Sequence, residues 1–413
     1  MTLHKLLSSL GLFVALLLMA GTSDAQEKSE DKSLDAALTS GEAHLAFRYR
    51  FEHVDQDGFA EDADASTVRL RLNYKTGTWQ NVWGFLEFDY IAELFFDNFN
   101  SLGGSSPDRN RYPVVADPKG PDLNQLFFEY APNAQTKVRA GRERIVLDNH
   151  RWVGDVGWRQ NIQTYDAAGF NYNGWPNTEV FYRYITTVRR ITGDNVPSGR
   201  HDNDTHILHV QVKLSDDWVV IPYLYAIDNK DAPSLSSTTI GARVTGKAEL
   251  AGGKLDLVAE LATQSDAANN PVNYDALYWN AGATWTMENG LSVGLAFDSL
   301  GGDENVAGAS LQTPLATLHA HQGWADQFLS TPDAGINDLF VTVKYKIGPW
   351  NLTGVYHDFS AEAGSSDWGT ELDLSAGRSL WDRYGILFKA ALYNADQHAT
   401  DTNKFWIMFT GNY

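Results

Sequence analysis

The sequence predicts an all-β fold, a transmembrane antiparallel β-barrel of about eighteen strands. Three observations carry that expectation. Polar and apolar residues alternate over short segments along nearly the whole chain. The connections between those segments are short and long by turns. The chain also ends on an apolar, aromatic strand face, Phe405, Ile407, Phe409 and Tyr413. The composition agrees, with 35 Gly, 20 Phe, 18 Tyr and 13 Trp in 413 residues, because turns need glycine and pleated, half-buried strands favour aromatics.

Reading from the N-terminus, Lys5 precedes the apolar run Leu10 to Ala20, and Ser23-Asp24-Ala25 offers a small-residue cleavage site. This is the pattern of a secretory signal peptide over residues 1–25. The run is too short to serve as a membrane anchor. Residues 26–41 are polar and read as a flexible periplasmic leader, and the barrel is expected over 42–413. No later stretch reaches 18 apolar residues, so the chain does not cross a membrane with helices.

The alternation starts at 43–51, where Leu45, Phe47, Tyr49 and Phe51 oppose His44, Arg48 and Arg50. In 67–75, Val68, Leu70, Leu72 and Tyr74 oppose Arg69, Arg71, Asn73 and Lys75. One wet and one apolar face is the signature of a strand in a barrel wall. Comparable segments start near 66, 80, 122, 135, 165, 178, 205, 217, 238, 254, 274, 290, 338, 349, 368, 382 and 404. Short turns near 76–77, 131–135, 173–177, 215–217, 250–253, 287–290, 348–349 and 378–382 separate long connections at 53–65, 94–121, 142–164, 190–204, 228–237, 264–273, 299–337, 360–367 and 394–403. Outer-membrane barrels have this form, with tight periplasmic turns and long extracellular loops. A sandwich has no reason to lengthen every second connection. Trp79, Trp175, Trp218, Trp285, Trp350 and Trp381 cluster beside the short turns, where an interfacial girdle belongs.

A barrel of this size has a lumen too wide for wall side chains alone to fill, so function is expected in its lining and in any loop that folds inward. The wet faces carry Arg48, Arg50, Arg69, Arg71, Lys137, Arg139 and Arg183, opposed by a smaller acidic set that includes Glu87 and Asp89. A chain with 52 Asp+Glu, 32 Lys+Arg and a net charge of −20 therefore encloses a pore of mixed, slightly basic charge, its surplus acid lying in leader and loops. Four like charges at Arg48, Arg50, Arg69 and Arg71 need carboxylates or an anionic partner. The loop 142–164 carries Arg142, Arg144, Arg151 and Arg159 among Asp148 and Asp155, and also Trp152, Val153, Val156 and Trp158. A solvated loop has no use for those apolar residues, so this one is expected to fold into the barrel as its constriction. In the long loop 299–337, Thr313-Pro314 reads as a helix start and Pro332 and Gly335 as its end. His319, His321, Trp324 and Asp326 lie between, but the spacing completes no metal-ligand set.

Two stretches resemble the alginate export family of bacterial outer-membrane porins. The first runs through Gly141-Arg142, Arg151, Gly154, Trp158 and Tyr165-Asp166, and the second is His319-x-x-x-Gly323-Trp324-Ala325-Asp326. The resemblance implies an eighteen-stranded monomeric barrel in the outer membrane, with an arginine-lined pore for an anionic polysaccharide or other small anions. The acidic positions on the third, eleventh and sixteenth strands set a mixed field against that basic arc.

The function expected is passive passage of small solutes, anionic or sugar-acid in kind. The partners expected are that solute, the bilayer and lipopolysaccharide, with no cofactor and no metal. Nucleic acid is excluded by the missing basic footprint. The absence of Cys removes thiolate metal sites and cysteine nucleophiles. Two alternatives stand beside the porin. One is a barrel enzyme of the lipase or protease type, for which no Gly-x-Ser-x-Gly motif is present. The other is a structural barrel sealed by its loops.

Overall fold

A computed structural model describes residues 33–103 and 107–413. The expected signal peptide lies outside the described residues. The first element is a helix, α1 (Leu34–Thr39), capped by the Ser33 hydroxyl, which accepts from the Ala36 amide at 3.1 Å. Residues 33–41 are thus not the free tether that their polarity suggested. Tyr74 donates its hydroxyl to the Leu38 carbonyl at 2.5 Å, and the Gly77 amide donates to Ala37 at 2.9 Å. These two bonds dock α1 on the first short turn.

Eighteen strands follow: β1 (Glu42–Gln56), β2 (Ala63–Lys75), β3 (Val82–Asn98), β4 (Gly120–Asn133), β5 (Thr136–Glu143), β6 (Thr164–Trp175), β7 (Thr178–Arg189), β8 (Arg200–Lys213), β9 (Trp218–Ile227), β10 (Ser237–Glu249), β11 (Gly253–Asp266), β12 (Asp275–Met287), β13 (Ser292–Leu300), β14 (Ile336–Ile347), β15 (Trp350–Ser360), β16 (Asp367–Leu380), β17 (Tyr384–Ala395) and β18 (Thr402–Asn412). Each is antiparallel to the next in sequence, and β1 pairs with β18 from Ala46↔Asn412 to Gln56↔Thr402. The sheet therefore closes without an edge, the arrangement that satisfies every ladder bond within lipid. Among the described residues no helix is long and apolar enough to cross a membrane.

The sequence alternation maps onto the two faces of this wall. Leu70 and Leu72 on β2 sit opposite Tyr90 and Phe88 on β3, and all four are exposed on the outside. Arg69, Arg71 and Asp89, one position along, are buried inside. Several strands outrun their alternating segments, β8 starting at Arg200 and β2 at Ala63. Ladder bonds continue there beyond the apolar belt, where no lipid enforces an apolar face.

The hydrophobic core lies inside the barrel. Ile145, Trp152 and Val153 of one connection and Leu311, Leu315, Ala325 and Phe328 of another pack against wall residues such as Ile185, Tyr223, Tyr278, Phe359 and Trp406. The connection 301–335 does not hold the helix expected from Thr313-Pro314. Its one helical piece among the described residues is a single 3₁₀ turn, Leu318–Ala320. Tertiary bonds take the backbone groups that a helix would have used: Leu315 accepts from Gly154 at 2.8 Å, and Thr317 donates to His150 at 3.0 Å.

Candidate functional site: the loop-filled lumen

The loop after β5, residues 144–163, enters the lumen because its own residues demand cover and its turns allow entry. Asp148, His150 and Val156 adopt positive φ, and for β-branched Val156 at 50° this is a strained backbone held by its surroundings. Leu147 and Val153 bond across the loop at 3.1 Å. Trp152 inserts among Tyr223, Tyr225 and Tyr278 and donates its indole N–H to Glu260 at 2.7 Å. Tyr223 and Arg243 also serve Glu260, each at 2.7 Å. Asp148 reaches His209 on β8 at 3.0 Å.

On the opposite side the loop lies against β1 and β2. Arg48 donates to the Gly157 carbonyl at 2.9 Å, to the Gln160 amide oxygen at 3.0 Å and to the Arg159 carbonyl. Arg50 donates to the Trp158 carbonyl and pairs with Asp117, which comes from the connection after β3. Arg69 donates to the Gln160 carbonyl at 3.2 Å. Arg71 grips Asp89 through two bonds of 2.8 and 2.7 Å, with Glu87 at 3.5 Å. Three of these four arginines are therefore bound to the inserted loop.

The long connection 301–335 packs onto the same loop. Arg159 is the meeting point: it binds Glu52 at 2.9 and 3.2 Å and Asp326 at 3.1 Å, with Asp117 at 4.0 Å. Asp326 also holds His319 at 2.8 Å and Lys404 at 3.0 Å. Arg151 donates to Gln322 at 2.9 Å and pairs with Asp298. Glu371 accepts from the Trp324 and Ala325 amides at 2.5 and 2.7 Å. The Lys389 ammonium lies 3.6 Å from the Trp324 ring centroid and 4.3 Å from that of Trp158, and contacts His319 at 2.6 Å. Burial, followed by the field of Lys389, pushes the His319 imidazole down to about 3. Despite burial, Lys404, His319 and Arg159 hold the Asp326 carboxyl well below its usual range.

Among the described residues, two cavities open on the inner face of the wall. One, of about 280 Å³, is lined by Lys137, Arg139, Arg144 and Arg183, by Glu129 and Glu143, and by Trp83 and Phe181. Arg139 pairs with Glu129 and Glu143, Arg183 pairs with Glu143, and Arg144 pairs with Asp155. The other, of about 380 Å³, lies against β12–β16 and is lined by Asp298, Asp338, His357, Lys344, Trp324 and neutral polar groups. Among the described residues no group of three or more His, Asp or Glu side chains is placed to hold a metal ion.

The expected lining residues thus fall into separate places. Arg48, Arg50, Arg69, Arg71, Glu87, Asp89 and Arg159 meet at β1–β3. Lys137, Arg139, Arg144 and Arg183 surround the first cavity, whereas Arg151 and Asp148 face other stretches of wall. Arg142 departs from the lining set. It sits opposite Leu126 and shares the outward face of Val138 and Ala140, where it binds Asp166 at 2.7 Å. The residue type suggested the pore, but the period of two puts residue 142 on the other face from Arg139. Sequence reasoning passed over Asp117 and Gln160 as site residues. Only the stretch from His319 to Asp326 carried a signal for the long loop's part.

Comparison with known proteins places this lumen. The family model for alginate export matches residues 43–400. The chain belongs to the alginate export family. As a member of that family with a closed eighteen-stranded barrel, it is a bacterial outer-membrane protein of the porin kind. No protein of curated function matches its sequence. Among solved structures it shares its fold with OpdK of Pseudomonas aeruginosa, determined with vanillate, at 12% identity and a TM-score of 0.70 over 91% of this chain and 99% of that one. OccK11 (OpdR) of the same organism matches at 13% identity and 0.69, over 91% and 97%. OccAB1 of Acinetobacter baumannii matches at 14% identity and 0.70, over 94% and 99%.

Proposed function

We propose that this member of the alginate export family is a passive channel for small anionic solutes, sugar acids and other carboxylates in kind, working as a single barrel. The single observation behind this reading is the charge of the cavity beside β3–β7. Four basic side chains line it against two carboxylates, and a low-dielectric wall focuses such an excess into an anion-favouring field. Trp83 and Phe181 add apolar surface for the body of a ring-bearing solute. The vanillate bound to OpdK, a small aromatic carboxylate, is chemistry of the same kind on a shared fold. In this reading residues 1–25 are removed on export, the connections 144–163 and 301–335 enter from the extracellular side, and the outer wall meets lipid and lipopolysaccharide. The test is the reversal potential of the reconstituted barrel in a KCl gradient across a planar bilayer. Anion preference is the expected result. Cation preference overturns the reading, and absence of conductance favours a barrel sealed by its loops.

A further inference from the structure

The register of β1 and β2 sets Arg48 directly opposite Arg69. Like charges in direct cross-strand opposition repel, and the two residues are only 7% and 9% exposed. Their neighbours answer the same difficulty with carboxylates, Arg50 with Asp117 and Arg71 with Asp89. Among the described residues Arg48 has no such partner. All three of its guanidinium nitrogens donate to neutral oxygens, those of Gly157, Arg159 and the Gln160 side chain. Arg69 has one hydrogen bond, to the Gln160 carbonyl, and its buried Nε has none. Its one carboxylate within reach, Asp89 at 4.0 Å, is already held by Arg71. Two buried cations therefore rest on carbonyl and amide oxygens supplied by one stretch of the inserted loop, 157–160.

We propose that Arg48 and Arg69 form a carboxylate-binding site that this loop stretch occupies at rest, and that an arriving solute carboxylate displaces it. The inference rests on the proposed passage of carboxylate solutes. The physical drive is the exchange of neutral acceptors for a charged one. Charge-assisted bonds to guanidinium are about twice as strong as neutral ones, and the paired oxygens of a carboxylate match the guanidinium fork. A buried cation without a counter-ion gains most from such an exchange. Because the same carbonyls tether the loop to the wall, binding of the solute frees the stretch that narrows the pore. The solute thus opens its own way, while chloride, a single point charge, does so poorly.

The experiment is amide hydrogen exchange on the full-length barrel reconstituted in vesicles, with glucuronate, glucose or chloride added. Glucuronate is expected to raise exchange at residues 157–161 by about tenfold, and glucose and chloride to leave it unchanged. In Arg48→Gln/Arg69→Gln the glucuronate response is expected to vanish. Arg48→Lys keeps the charge and loses the fork, so it should retain only part of the response. That second variant also decides the matter where the double variant does not fold. An unchanged rate in the wild-type barrel, or an equal rise in the variants, overturns the site. Anion preference in the KCl gradient without any exchange response overturns this site alone. Loss of anion preference overturns the channel reading together with it.

Discussion

At the scale of single residues, the lumen is governed by how each buried charge is compensated. Arg159 is the clearest case, a loop cation between Glu52 of β1 and Asp326 of the long connection. Replacing it with Met leaves both carboxylates buried without their shared cation. Breaking a buried pair in this way costs on the order of 3–5 kcal/mol. Arg159→Met should therefore lose amide protection in both inserted loops, measured by hydrogen exchange, with the strands unaffected. His319 gives a pH dependence of defined sign. Its docked form, pushed down to about 3 from the ordinary 6.5, resists a proton that the released loop accepts. Docking is thus at full strength above about pH 6.5 and weakens as pH falls towards 3, because the released state binds the extra proton. Protection of 301–335 should fall across that window in the wild-type barrel, and His319→Gln, which cannot titrate, should remove this part of the slope.

At the scale of elements, each strand does two jobs with alternate residues. On β16, Leu374 is exposed on the outer face, while Ser375 lines a cavity inside. An arginine facing lipid costs about 2–4 kcal/mol at the bilayer midplane and much less at the interface. Leu374→Arg should lower the unfolding free energy in vesicles by that order. Ser375→Arg, one position along, should leave stability nearly unchanged and alter conductance instead. Equal effects at the two positions would refute the assignment of faces. The inserted loop is an element in its own right, fixed by Trp152 among tyrosines and by carbonyl bonds to Arg48, Arg50 and Arg69. Deleting 145–158 removes the Trp152 anchor and the Gly157 and Trp158 carbonyls held by Arg48 and Arg50. Single-channel conductance should rise, and an unchanged conductance would remove this loop from the constriction.

At the scale of the whole molecule, an acidic chain of net charge −20 keeps an excess of cations around one cavity of its lumen. The segregation is spatial: Lys137, Arg139, Arg144 and Arg183 border the cavity near β3–β7, whereas Asp298 and Asp338 border the one near β12–β16. Lys137→Glu with Arg144→Glu should therefore move the reversal potential towards cation preference. Neither side chain bridges the loop to β1 or β2, so those contacts should stay, while Arg144→Glu also leaves buried Asp155 without its cation. A reversal potential that does not move would place the conducting path elsewhere in the lumen.

The wall follows from the residues alone. Eighteen strands, their faces and their closure were legible because a chain in lipid must pair every backbone group and present an apolar side, which leaves a period of two in the residues. Leu70 and Arg71 announce their opposite faces without help from any distant part of the chain. The contents of the lumen were decided only by tertiary structure. Arg48 finds its partners more than a hundred residues away, at Gly157 and Gln160, and Arg151 finds Gln322 further still. No local period records such meetings. Thr313-Pro314 shows the same limit from the other side. It reads as a helix start locally, yet bonds to Gly154 and His150 claim the backbone groups first. A wall is dictated by its solvent, which every strand meets alike. An interior of buried charges is dictated by which loop reaches which cation, and that is settled only when the barrel has closed around both.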